Sequence, residues 1–245
     1  MVRKKDWFGT WFDSPYYHIL YKHRDHEEAG AFIDNLSRHF HFNKKDSIMD
    51  LACGKGRHSI FLNKKGLDVT GLDLSPKNIA YANKWSNERL RFFVHDMRDV
   101  FATERFDYVL NMFTSFGYFD DSSENEQSIM AVAKSLKKGG KFILDFMNPK
   151  KVIKNLVQEE RKQIDGIDFR VTRELDDHDF IIKNIEFEDN GEQYNFHERV
   201  KAISFDAFQN YFERANLKCS NVFGDYNLNP FEKETADRMI FILEK

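Results

Sequence analysis

The chain has 245 residues, 31% of them charged and 41% hydrophobic, with a formal net charge of −3. This is the composition of a globular protein with one large core. It excludes a general electrostatic attraction to nucleic acid or to an anionic membrane surface. Two cysteines, Cys53 and Cys219, make no disulfide framework and point to a reducing compartment, by default the cytoplasm. Residues 1–6 lead into aromatics with no apolar run of signal-peptide or membrane-span length.

Residues 7–41 lack strand character. Trp7, Phe8, Trp11, Phe12, Tyr16, Tyr17 and Tyr21 crowd the beginning. Ser14-Pro15 predicts a helix start, with Ser14 as cap and proline at the first position. Tyr17 and Tyr21 then share a face at i, i+4. Residues 31–40 read as a second helix with Phe32, Ile33, Leu36 and Phe40 on its apolar side. His23 and His26 sit among Lys22, Arg24, Asp25, Glu27 and Glu28, so a solvated face is expected there and no metal site.

Residues 48–52 read as a strand covered on both faces, running into the turn Cys53-Gly-Lys-Gly56 and a helix that stops at Lys64-Lys-Gly66. Gly54 and Gly56 allow a tight turn and close approach of a ligand, and Cys53 reads as a small packing residue. Asp50 is the informative departure. Glycine turns that open a helix suit a pyrophosphate. A carboxylate beside one repels a pyrophosphate and suits a ligand bearing an ammonium and a sulfonium, which points to S-adenosylmethionine. An Asp that only caps the turn is the alternative.

A second strand, 67–73, ends in Asp73, 73 − 50 = 23 residues after Asp50. An acid there accepts hydrogen bonds from the hydroxyls of an adenosine ribose. Ser75-Pro76 starts a helix over 76–86. The strand 90–94 ends in His95-Asp-Met97, and Arg98-Asp99 reads as a surface pair. The strand 106–112 runs through Asn111 into Phe113-Thr-Ser-Phe-Gly-Tyr-Phe119. A helix over 122–137 and a strand over 141–147 follow.

The segments Asp50-Leu-Ala-Cys-Gly-Lys-Gly-Arg57, Gly71-Leu-Asp-Leu-Ser75, His95-Asp-Met97 and Leu136-Lys-Lys-Gly-Gly-Lys-Phe-Ile-Leu144 resemble, in order and spacing, the class I S-adenosylmethionine-dependent methyltransferases of small-molecule type. One departure is His58, where the family often has a third glycine. The resemblance implies an α/β, seven-stranded Rossmann-like sandwich with strand order 3-2-1-4-5-7-6. It implies cofactor contacts from Asp50, Ala52, Gly54, Gly56, Arg57, Asp73, Leu74, Asp96, Met97 and Asn111, with Asp96 and Met97 at the adenine. Small-molecule members often carry an N-terminal helical lid with a tyrosine, which adds Tyr17 and Tyr21. The loop after the fourth strand should face the transferred methyl. It reads Asn111-Met-Phe-Thr114, not the Asn/Asp-Pro-Pro-aromatic of base-amine enzymes, and supplies no magnesium cluster.

Residues 166–203 change character. Alternating apolar positions and the turn Asn190-Gly191 predict three antiparallel strands. Ser204 caps a last helix, and 217–224 and 239–243 close the sheet. The expected organisation is a helical lid (1–45), a S-adenosylmethionine-binding core (46–165), an antiparallel β cap (166–203) and the C-terminal part of the core (204–245). Phe113, Tyr118, His197 and Arg199 are the candidate acceptor contacts. Tyr118 and His197 are the candidate general bases, needed only for a protonated acceptor. The expected activity is methyl transfer to O, N or C of a small molecule, possible as a homodimer. An RNA-modifying enzyme and a non-catalytic binder of adenosyl or NAD ligands are the alternatives.

Overall fold

The computed structural model describes residues 10–22 and 26–245. Trp7, Phe8, His23 and the side chain of His26 lie outside the described residues. The elements in order are helices α1 (Pro15–Leu20) and α2 (His26–Phe40), β1 (Ser47–Leu51), α3 (Arg57–Lys64), β2 (Asp68–Asp73), α4 (Pro76–Ala82) with a 3-10 turn (Asn83–Trp85), β3 (Leu90–Val94), β4 (Phe106–Asn111), α5 (Ser122–Ser135), β5 (Leu136–Met147) and α6 (Pro149–Lys154). Then come β6 (Glu159–Ile164), β7 (Ile167–Leu175), β8 (Phe180–Asp189), β9 (Glu192–Lys201), α7 (Phe205–Arg214), β10 (Lys218–Phe223) and β11 (Arg238–Glu244). Among the described residues no helix is long and apolar enough to cross a membrane.

Seven strands form one sheet in the order β10-β11-β5-β4-β1-β2-β3. Counting β10 and β11 as the sixth and seventh core strands gives 3-2-1-4-5-7-6, as expected. β11 alone runs antiparallel to its neighbours. Both faces are covered, which is why the strands are almost continuously apolar. One face packs Met49, Leu51 and Val109 against Ile129 and Val132 of α5 and Phe208 and Phe212 of α7. The other packs Ile48, Val69 and Leu110 with Phe32 and Leu36 of α2 and Leu62 of α3. The strand order reverses between β1 and β4, so a crevice opens at their carboxyl ends.

The second sheet has four antiparallel strands, β6-β7-β8-β9, where three were expected, and it begins at Glu159. The added strand, β6, reads Glu-Glu-Arg-Lys-Gln-Ile and has no apolar alternation. Its signal is the Asp165-Gly166 turn, with φ of 50° and 84°, the same two-residue geometry as Asn190-Gly191 at 52° and 81°. At the other end, α5 stops at Ser135, two residues early, because Leu136 already pairs with Phe106.

The two N-terminal helices go to different places. α2 belongs to the core, whereas α1 packs on the antiparallel sheet. Trp11 and Leu20 are buried against Phe169, Val171, Ile185 and Phe187. Hydrogen bonds fix the contact: Trp11 Nε1 donates to Glu198 (2.7 Å) and Tyr16 Oη to Asp189 (2.8 Å).

Candidate active site

The loop after β1 holds three left-handed residues, Ala52, Gly54 and Gly56, at φ of 62°, 56° and 83°. A non-glycine residue in that region costs about 1 kcal/mol, so the surroundings must hold Ala52. They do: the Cys53 amide donates to the Leu72 carbonyl (2.9 Å) and the Gly56 amide to the Cys53 carbonyl (3.0 Å). A Cβ on Gly71 would lie 2.5 Å from the Phe92 ring and 2.9 Å from Cys53 Sγ. Cys53 is thus packing, and burial pushes its thiol pKa well up.

Two carboxylates flank this loop. Asp73 accepts from the amides of Gly54 and Ser75, each at 2.9 Å, while burial pushes its pKa up against those bonds. Asp50 is 2% exposed and accepts from Ser59 Oγ at 2.5 Å. Burial, with Asp73's charge adding to it, raises its pKa to about 6. His58 stacks on Phe113, with centroids 5.0 Å apart, and burial holds its pKa down near 3. Its side chain occupies space a glycine would leave. The Arg57 guanidinium lies 4.9 Å from the centre of the same Phe113 ring.

At the end of β4, Asn111 is fully buried and donates to the Leu51 carbonyl (3.1 Å) and the Ser115 carbonyl (3.4 Å). Its Oδ1 has no partner among the described residues. Phe113 and Thr114 are both left-handed, at φ of 59° and 58°, which is strained for a β-branched residue. Asp145, on β5, holds them. It takes the Phe113 amide (2.7 Å) on its carboxylate and the Thr114 amide (3.1 Å) on its carbonyl. Arg238 Nε donates to Asp145 (2.7 Å) and Arg238 Nη2 to Thr114 Oγ1 (2.9 Å), and Tyr226 Oη reaches Asp145 at 3.2 Å. Sequence reasoning missed all three residues. Asp145 carried a readable signal, an acid inside an apolar strand. Tyr118 Oη donates to the Thr114 carbonyl (2.6 Å), so its proton is held by the backbone.

Asp96 does not stand alone after β3. Arg98 Nη2 and Nε grip its carboxylate at 2.6 and 2.9 Å, and Arg98 Nη1 meets Glu124 at 2.5 Å. Arg98 is buried, which corrects the surface pair expected of Arg98-Asp99. Met97 packs partly buried against the core and Leu74 is 42% exposed.

The segment before α1 crosses this edge of the core. Ser75 Oγ bonds Asp13, and the Phe12 ring lies 5.5 Å from Tyr118. Tyr17 packs on Phe12 and Tyr21, both at 5.0 Å. Tyr21 Oη donates to Glu198 (2.7 Å), which places its hydroxyl in the antiparallel sheet. On β9, Tyr194 and Phe196 pack under α1, as their alternation implied. His197 is exposed on the opposite face. Arg199, on that face, pairs with Asp120 and lies 3.5 Å over the Phe180 ring. Among the described residues no group of three or more His, Cys, Asp or Glu side chains converges on a metal position.

The order of the seven-stranded sheet is that of the Rossmann-like methyltransferase fold. Residues 48–140 match the family model described as Methyltransferase domain. Glycine N-methyltransferase of Rattus norvegicus is 31% identical over 118 residues, 41% of this chain and 40% of its own. A dTDP-3-amino-3,4,6-trideoxy-alpha-D-glucopyranose N,N-dimethyltransferase of Streptomyces venezuelae is 31% identical over 99 residues, 40% of this chain and 41% of its own. The matches thus span about two fifths of these relatives' length. The solved structure of a S-adenosylmethionine-dependent methyltransferase from Clostridium acetobutylicum superposes with a TM-score of 0.79 at 22% identity, over 94% of this chain and 95% of that one.

Proposed function

We propose that the protein transfers the methyl group of S-adenosylmethionine to a nucleophilic atom of a small molecule. The observation that carries this is the pair of buried acids, Asp50 and Asp73, on either side of a glycine loop whose Gly54 amide is turned onto Asp73. Asp73 takes the ribose hydroxyls. Asp50 supplies the negative charge for the cofactor's cationic end, with Ala52, Gly54, Gly56, Arg57 and Asn111 around it. Leu74 and Met97 flank the adenine, and Asp96, fixed by Arg98, faces its amino group. Tyr17 covers the site from the lid, whereas the Tyr21 hydroxyl is spent on Glu198. The relatives named above act on glycine and an amino sugar, which favours an amine nitrogen over O or C, and a small molecule over RNA.

Methyl transfer from a sulfonium needs in-line positioning and exclusion of water more than acid–base help. Phe113, held by Asp145, and Tyr118 shape the acceptor side. Arg199 and His197 reach it from the antiparallel cap, with His197 as the base where the acceptor arrives protonated. The free thiols of Cys53 and Cys219 fit a cytoplasmic enzyme.

The test is the pH dependence of cofactor binding. Asp50's folded pKa, about 6 through burial, lies above its ordinary value. The folded chain therefore keeps this proton longer than the unfolded one. Its contribution makes stability fall, by up to about 3 kcal/mol, as pH rises from about 4 to about 6, and stay level above. A ligand ammonium selects the ionised form. Affinity for S-adenosylhomocysteine is then expected to weaken by up to about tenfold per pH unit below about 6, with proton release on binding. Calorimetry at about pH 5 and about pH 7.5 in two buffers checks this. The Asp50→Asn variant should lose the effect; identical pH dependence in variant and native protein would remove Asp50 from the site.

A further inference from the structure

The turn before α1 reaches three parts of the molecule at once. The Ser14 amide donates to the Trp11 carbonyl (2.9 Å), which closes residues 11–14 into a single turn. The side chains of that turn diverge. Trp11 is buried in the antiparallel sheet, with its ring 4.7 Å from Phe196 and its Nε1 on Glu198. Phe12 lies against Tyr118, in the loop after β4. Asp13 accepts from Ser75 Oγ, just past the end of β2. Ser14 caps α1 by accepting from the Tyr16 amide (3.2 Å).

β1 lies between β4 and β2 in the sheet. A turn tied to the loop after β4 and to the end of β2 therefore crosses the carboxyl end of β1, where the glycine loop begins. α1 follows it there: His18 has its pKa held down to about 4 by burial and then by the charge of Lys55, a glycine-loop residue. Ser75 is the anchor on the nucleoside side. Its amide donates to Asp73 (2.9 Å), its Oγ accepts from the Asn78 amide (3.0 Å), and its hydroxyl proton goes to Asp13. Ser75 is buried and its Oγ is fixed as the cap of α4, so the Asp13 carboxylate meets an oxygen already in place. Hydrogen bonds with an ionised acceptor are the stronger kind. Asp13 is also close enough for its charge to add to the burial that raises the Asp73 pKa. α1 is held on the antiparallel sheet by Trp11 and Tyr16. The Asp13 bond adds a tie of a different kind, across the crevice.

We propose that Asp13 is a positioning residue for methyl transfer: by holding Ser75 it keeps the 11–14 turn closed over the bound cofactor, with Phe12 against the acceptor loop. The inference rests on the methyl-transfer reading, which assigns the nucleoside to this crevice. A bound nucleoside then leaves only when the turn lifts. By reciprocity, the nucleoside holds the turn down.

The test uses the full chain and two readouts. Stopped-flow displacement gives the dissociation rate of S-adenosylhomocysteine, and hydrogen exchange follows residues 10–22 with and without it. Asp13→Ala should speed dissociation by about tenfold or more, the loss of one charge-assisted hydrogen bond, with the association rate little changed. Asp13→Asn keeps an oxygen for Ser75 Oγ and should recover most of the loss. Ser75→Ala removes the same bond from the other side, so the double variant should dissociate no faster than the faster single one. Ligand should slow exchange in residues 10–22 of the native protein and not of Asp13→Ala. Asp177→Ala, at an exposed position, should behave as native. Thermal melting identifies a variant that fails to fold; were that Asp13→Ala, Ser75→Ala and the exchange of the native protein carry the test. Dissociation from Asp13→Ala at the native rate, or exchange in the native protein that ligand does not slow, would overturn the proposal and leave the methyl-transfer reading standing. Failure of the native protein to bind S-adenosylhomocysteine would overturn both.

Discussion

Asp73→Ala is expected to weaken S-adenosylhomocysteine binding by about 2 to 4 kcal/mol, the loss of two charge-assisted hydrogen bonds to a ribose. That is roughly 30- to 1,000-fold in affinity. The carboxylate is prepared for the role. Amides of Gly54 and Ser75 fix one oxygen each, at 2.9 Å, and burial makes its charge costly without a partner. Asp73→Asn should fall between, since it keeps an acceptor and loses the charge. Asp177→Ala, at an exposed hairpin position, serves as the folded control. Calorimetry reads all three. Equal affinity in Asp73→Ala and Asp177→Ala would take Asp73 out of the cofactor site.

Asp145→Ala is expected to lower stability by about 3 to 5 kcal/mol, the range for breaking a buried ion pair on one side. Asp145 is fully buried and Arg238, its partner at 2.7 Å, is 17% exposed. Removing the carboxylate strands the Arg238 guanidinium and the Phe113 amide together. It also releases two residues held left-handed, Phe113 and Thr114, each storing about 1 kcal/mol. The loop facing the acceptor should then relax. Turnover is expected to fall further than cofactor affinity, because no proposed cofactor contact touches Asp145. Urea denaturation gives the stability. Single-turnover methyl transfer beside S-adenosylhomocysteine titration separates the two functions. A variant as stable and as active as the native protein would mean that the loop holds its shape without Asp145.

What was legible in the sequence follows from what is local. Asp50 and Asp73 stand at the ends of short apolar runs next to glycines, so their placement at a crevice could be read from spacing alone. The strand order came with the same motifs. β6 was not read because Glu159 to Gln163 are all polar, although Asp165-Gly166 announced its turn. Arg98 looked like half of a surface pair because its partners, Asp96 and Glu124, meet it only once β3 and α5 are in place. Arg238 and Tyr226 reach Asp145 across 93 and 81 residues, and no local pattern reports such a contact. The aromatic pattern of α1 gave a buried face but not which sheet it covers; Trp11 and Tyr21 settle that through Glu198.

The most direct measurement titrates the native protein with S-adenosylhomocysteine and, separately, with NAD. The two acids beside the glycine loop should admit the ammonium-bearing nucleoside and repel the pyrophosphate. The expected result is one S-adenosylhomocysteine bound per chain and no detectable heat from NAD. NAD binding more tightly than S-adenosylhomocysteine would contradict the assignment of the site.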